Sequence, residues 1–145
     1  MKAKLLDATG QKTFALIFEK GDEVIAGLSA FAKAETVGAA HFTAIGAFSE
    51  VTLGYFDPGR RDYKRMPLKE QVEVLSLIGD IALDGGMPKV HAHVVVGLAD
   101  GGTRGGHLLD GRVWPTLEVI LVESPRFLRK RHDPETGLAL IDPAA

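Results

Sequence analysis

Three of the chain's five histidines fall within PKVHAHVVVGLADGGTRGGHLLD, from Pro88 to Asp110, and their spacing is that of metal ligands. Val90 to Leu98 is rich in β-branched residues, as strands are, and successive side chains on a strand face opposite ways. Val90, Ala92, Val94, Val96 and Leu98 then share one apolar face. His91 and His93 share the other, with Cα atoms roughly 6.5–7 Å apart, so both imidazoles can lean toward one ion. Gly101-Gly102 supplies a turn and Gly105-Gly106 precedes His107, so a chain reversal brings the third histidine alongside. Neutral imidazoles suit zinc, at Zn–N distances of about 2.0–2.1 Å, and three of them leave a coordination position open. Nickel and copper accept the same ligands, so the expected cofactor is a divalent metal with zinc first. Three unrelated polar residues near a sheet edge are the competing reading.

An open metal position admits an enzyme as well as a binding protein. Glu73 and Glu118 lie on strands expected beside the histidine strand, where a carboxylate can orient an imidazole or take a proton from metal-bound water. They are the catalytic candidates of an enzymatic reading in which that water acts on a small molecule. The plainer reading makes each an ordinary charge on a half-exposed strand. Arg104 could meet an anion, although a solvated loop arginine explains it equally. His41 and His132 read as surface or satisfied polar residues. Arg126, Arg129, Lys130 and Arg131 form a basic group that could meet phosphate, and also the kind of charge that keeps strand edges from pairing. No phosphate-cradling loop and no Gly-x-Ser-x-Gly elbow occurs.

Composition narrows the classes. The 145 residues fit a single domain, 46% are apolar and 25% charged, and both fractions are globular averages. There is no cysteine, which removes disulfides, thiolate ligands and cysteine nucleophiles. A net charge of -2 gives no global attraction to a polyanion. No run approaches the roughly 18 apolar residues of a membrane span, and Met1-Lys2-Ala3-Lys4 leads into Asp7 rather than a secretory apolar region. A cytoplasmic location is the expectation.

The elements that must position the histidines are mostly strands. Phe14–Glu19 alternates Phe14, Leu16 and Phe18 against Ala15 and Ile17. Gly21 ends it, Asp22 is the expected cap of a helix carrying Val24, Ile25, Leu28, Phe31 and Ala32, and Gly38 is the expected stop. His41–Phe48 and Val51–Phe56 read as two strands of a hairpin joined at Ser49-Glu50, with Gly46 and Gly54 marking curvature or close packing. Arg60–Met66 is an edge strand or loop. Val72–Ile81 has apolar residues on both faces and reads as central, with Val72, Val74, Ser76 and Ile78 on one side. Leu117–Glu123 is a further strand, and Arg126–His132 with Gly137–Ile141 flank a closing hairpin turn. Trp114-Pro115 suits either a subunit contact or the core. The sum is an α+β fold dominated by antiparallel sheet with one main helix packed on it.

The order Glu73-Val74-Leu75-Ser76-Leu77-Ile78-Gly79, Pro88-Lys89-Val90-His91-Ala92-His93, Gly105-Gly106-His107-Leu108-Leu109 and Leu117-Glu118-Val119 resembles the plants and prokaryotes conserved (PPC) domain. Gly21-Asp22-Glu23-Val24 and Ala44-Ile45-Gly46-Ala47 extend the likeness, which runs from about Phe14 to Ile141. The resemblance implies the PPC fold, assembly as a homotrimer, and the histidine pattern of prokaryotic members, complete here at His91, His93 and His107. It also implies a DNA-binding family by association, since in plants the domain accompanies AT-hook segments. Neither Pro58-Gly59-Arg60-Arg61 nor Gly111-Arg112 matches the Arg-Gly-Arg-Pro core of an AT hook, so direct DNA contact comes with the family name alone. The expectation is a trimeric metal-binding protein with a binding or regulatory role.

Overall fold

The computed structural model describes residues 1–7 and 10–144. Its elements are β1 (Lys2–Asp7), β2 (Thr13–Glu19), α1 (Val24–Ala34), β3 (Ala39–Asp57), β4 (Asp62–Leu68), β5 (Val72–Asp84), β6 (Met87–Gly97), β7 (Thr103–Glu123), β8 (Lys130–His132) and β9 (Ala139–Ile141). Seven strands form one antiparallel sheet in the order β1-β2-β7-β6-β5-β3-β4, and β7 also pairs with β3. Because β3 pairs with β5, β5 with β6, β6 with β7 and β7 with β3, these four strands close on one another. The α+β architecture expected from the sequence is therefore present.

Closure depends on two long strands that the sequence reading divides. The hairpin expected at Ser49-Glu50 does not exist: β3 runs unbroken for 19 residues. Through that point it keeps pairing with β7, Phe48 opposite Val113 and Val51 opposite Gly111, while the polar pair is absorbed at register shifts. Ser49 donates its hydroxyl to the Arg112 carbonyl at 3.3 Å. Strand β7 likewise begins at Thr103, well before Leu117. Each long strand thereby serves two sets of neighbours. Gly46 permits the bend in β3, because its φ of +148° is a glycine conformation and a Cβ there would collide with the Thr116 carbonyl.

Helix α1 covers the inner face with Val24, Leu28, Phe31 and Ala32 buried. They meet Phe14, Leu16, Phe18, Phe42, Phe48, Leu77, Leu117 and Leu121 in the core. Its cap is Glu23 rather than Asp22: the Glu23 carboxylate accepts from Ile25 and Ala26 N–H at 3.2 and 2.6 Å. Asp22 instead accepts from Glu19 N–H at 2.9 Å, closing the turn before the helix. The helix ends at Glu35, ahead of Gly38, with Thr36 at φ 58°.

On β5 a register shift between Val74 and Ser76 changes which residues face the core. Val72, Val74 and Leu77 are buried, and Ile78 is turned outward. The simple alternation read from the sequence is therefore out of phase after Leu75. Strand β1, with no core residue, was not legible in the sequence. The expected edge strand is β4, which includes Pro67 where no inner ladder is interrupted. The closing hairpin exists as β8 and β9, with shorter strands than expected. It docks on β5 through Leu83 N–H to Leu128 C=O at 2.8 Å.

Candidate metal centre

The alternation on β6 is as read from the sequence: Ala92, Val94 and Val96 are buried, while His91 and His93 turn to the opposite face. The chain then reverses through Leu98–Gly102, where Gly101 takes φ +82° and Asp100 accepts the Gly102 N–H at 2.8 Å. Strand β7 returns with His107 directly opposite His93, and on its other side opposite Gly54 of β3. Gly106 allows that approach, since a Cβ there would lie 2.8 Å from the Gly54 carbonyl oxygen. The three imidazole centroids form a near-equilateral triangle of 5.2, 5.2 and 5.3 Å.

One nitrogen from each ring lies within 4.8 Å of one from each of the others. A tetrahedral zinc holds its nitrogens roughly 3.4 Å apart, given Zn–N near 2.05 Å, so modest side-chain rotation closes the set. Nδ1 of His107 is buried without a hydrogen-bond partner. An orphan of this kind costs ~1–3 kcal/mol, which a ligand at that atom relieves. Burial, reinforced by His91, His93 and Lys130, pushes the His107 imidazole down to about 4. Burial, then His91, also lowers His93. Both rings are thus held in the neutral form that ligation requires. The donor set fits a divalent metal.

Three side chains that the sequence did not single out for this site support it. Asp80, opposite His91 on β5, places Oδ2 3.4 Å from His91 Nδ1. Burial opposes its charge, but the contact with His91 and the charge of Lys130 outweigh it and hold the carboxyl below its ordinary value. Lys130 reaches in from β8 with its side chain 4% exposed, its Nζ 3.6 Å from Asp80 Oδ1. Tyr63 of β4 stacks on His107 at a centroid distance of 4.4 Å. No local sequence signal marks these three, because each arrives from a different strand.

The two glutamates stand elsewhere. Glu73 is exposed opposite Gly97, and Glu118 is exposed opposite Ile17 and Ile45. Neither belongs to the group of side chains able to share an ion among the described residues, and the carboxylate that reaches an imidazole is Asp80. Arg104 is exposed and donates to the Thr103 carbonyl. His41 lies opposite Asp80 at the margin of the site, outside the ligand group. The basic group is divided: Lys130 turns inward to Asp80, and Arg131 faces Asp142 at 3.4 Å.

The sequence matches the family model of the Plants and Prokaryotes Conserved (PCC) domain over residues 6–125. The chain belongs to this family. The family match ends at residue 125, before the C-terminal hairpin of β8 and β9. A plant- and prokaryote-conserved (PPC) protein of Pyrococcus horikoshii is 32% identical, with a TM-score of 0.86 over 94% of this chain and 97% of that one. A metal-containing protein of Archaeoglobus fulgidus is 32% identical, with a TM-score of 0.84 over 95% and 98%. A Ralstonia eutropha protein proposed to bind DNA is 31% identical, with a TM-score of 0.84 over 89% and 90%. Among curated relatives, the bifunctional protein GlmU of Synechococcus sp. (strain JA-3-3Ab) is 33% identical over 129 residues, 87% of this PPC chain but 20% of that protein. The chain thus spans a small part of the curated relatives it matches.

Proposed function

We propose that this PPC-domain protein is a homotrimer that holds one divalent cation per chain, zinc first, through His91, His93 and His107, and has a binding or regulatory role. The observation that carries the reading is the convergence of three imidazole nitrogens within 4.8 Å, two of the rings kept neutral by their surroundings. The metal-containing relative from Archaeoglobus fulgidus supports it. Purified protein assayed for bound metal and titrated with zinc tests it. Each of His91→Ala, His93→Ala and His107→Ala is expected to weaken zinc binding by on the order of 100-fold or more, given that even supporting residues around a metal contribute 10–100-fold. Wild-type affinity in all three variants would mean that the histidines line a cleft and bind no ion.

Assembly is supported by the outer face of the sheet, where Ile17, Ile45, Leu75, Ile78, Val95 and Ile120 are exposed. Ile45 at 61%, Ile78 at 56% and Leu75 at 53% are too open to count as core. Contiguous apolar faces of this kind are rarely left in water. The number three is the one the family resemblance implies. A relative proposed to bind DNA and the net charge of -2 pull in opposite directions. Association with DNA through a partner protein fits both better than direct contact with phosphates. For the enzymatic alternative, Glu73 and Glu118 stand apart from the histidines, and the carboxylate beside an imidazole is Asp80. Metal-dependent turnover in a substrate screen, lost in His107→Ala, would reinstate it.

A further inference from the structure

Beside His91 and His107 lies a cavity of about 340 Å³, one wall of which is the β8–β9 hairpin outside the family match. Its volume is at the small end of the range for ligand pockets. Val90, Leu138, Leu140 and Ile141 make most of its surface apolar. Its charged lining is Lys89 and Lys130, and no acidic side chain lines it among the described residues. The acids that neutralise these lysines lie behind them: Asp84 is 3.1 Å from Lys89 and Asp80 is 3.6 Å from Lys130. Fixed charges around the cavity therefore cancel in pairs, and imidazoles that ligate a metal are neutral and add none. A dication on the histidines leaves a charge of +2 uncompensated at a low-dielectric wall, where it attracts an anion strongly.

We infer that this cavity binds a small aliphatic monocarboxylate. Its head faces His91, His107 and the two lysines, and its tail lies on Val90, Leu138, Leu140 and Ile141. The apolar walls select against inorganic phosphate, which would leave them hydrated, and the cations select against neutral alcohols and amides. Lys130 is suited to the role because its buried ammonium has only the long contact to Asp80 and retains donors for a carboxylate. The inference rests on the metal reading above and adds the ligand class.

The test uses the full chain loaded with zinc, or with cobalt(II) so that the visible spectrum reports on the ligand sphere. Acetate, butyrate and hexanoate are titrated against butyramide, n-butanol and inorganic phosphate. Butyrate is expected to perturb the cobalt bands and to bind roughly tenfold or more tightly than butyramide. Each added methylene is expected to strengthen binding by about two- to threefold, less than full burial would give, because Leu140 and Ile141 are partly exposed. Lys130→Met, compared with wild type after both are fully loaded with metal, is expected to weaken butyrate binding about tenfold, and Lys130→Arg to retain it. Should Lys130→Met fail to fold, Lys89→Met serves, because that side chain is exposed and its loss cannot unfold the core. Phosphate binding more tightly than butyrate, or butyrate binding equally to wild type and Lys89→Met, would overturn the inference while leaving the metal site intact. A protein that takes up no metal would overturn both.

Discussion

Lowering the pH tests the neutrality of His107 without changing a single atom of the fold. Its imidazole is depressed to about 4, first by burial and then by His91, His93 and Lys130, against an ordinary 6.5. The folded state therefore resists a proton that the unfolded chain accepts. Stability from this group is complete above pH 6.5 and is lost as the pH falls toward 4. Between pH 7 and pH 4.5 the full shift corresponds to roughly 2.4 kcal/mol, and solvent screening of a half-exposed ring reduces it to about 1 kcal/mol. Urea unfolding of chelator-treated protein at pH 7, 5.5 and 4.5, at one protein concentration, measures it. The wild type is expected to lose about 1 kcal/mol more than His107→Gln across this range. Parallel profiles for the two proteins would show that His107 titrates as in water, and the argument for a ring kept neutral for ligation would fail.

Other predictions follow from named contacts. Asp80→Asn is expected to lower zinc affinity about tenfold, read by competition with a chromophoric chelator, because the carboxylate that orients His91 is gone. Ile78→Glu combined with Leu75→Glu is expected to reduce the mass in light scattering from about three times 15.5 kDa to one, with the circular dichroism spectrum retained. Gly46→Ala is expected to cost on the order of 1–3 kcal/mol in urea unfolding, since the backbone is at φ +148° and the Thr116 carbonyl occupies the space of the new methyl.

The histidine strand was legible because its information is local. Period-two alternation places Ala92, Val94 and Val96 inward and His91 and His93 outward whatever the neighbours are, and glycines at 101, 102, 105 and 106 announce a reversal that returns His107. Helix α1 was legible for the same reason, through its 3.6-residue spacing, although its cap moved from Asp22 to Glu23. Breaks and bulges were not. Ser49-Glu50 has the composition of a turn, yet β3 continues because pairing with β7 satisfies its backbone on both sides of that point. The shift at Leu75-Ser76 leaves the composition of β5 unchanged while reversing its faces.

By itself the sequence determined the class of fold, the apolar faces of β2, α1 and β6 that bury the core and the three imidazoles capable of sharing an ion. Tertiary structure alone decided what surrounds them. Asp80, Tyr63 and Lys130 come from β5, β4 and β8, and no spacing along the chain relates them to His107. It also set the positions of Glu73 and Glu118, whose strands do lie near the histidines but whose registers carry them along the sheet. The physical reason is that side-chain direction follows from neighbouring residues, whereas strand register depends on pairings between distant segments and moves by a residue at every bulge.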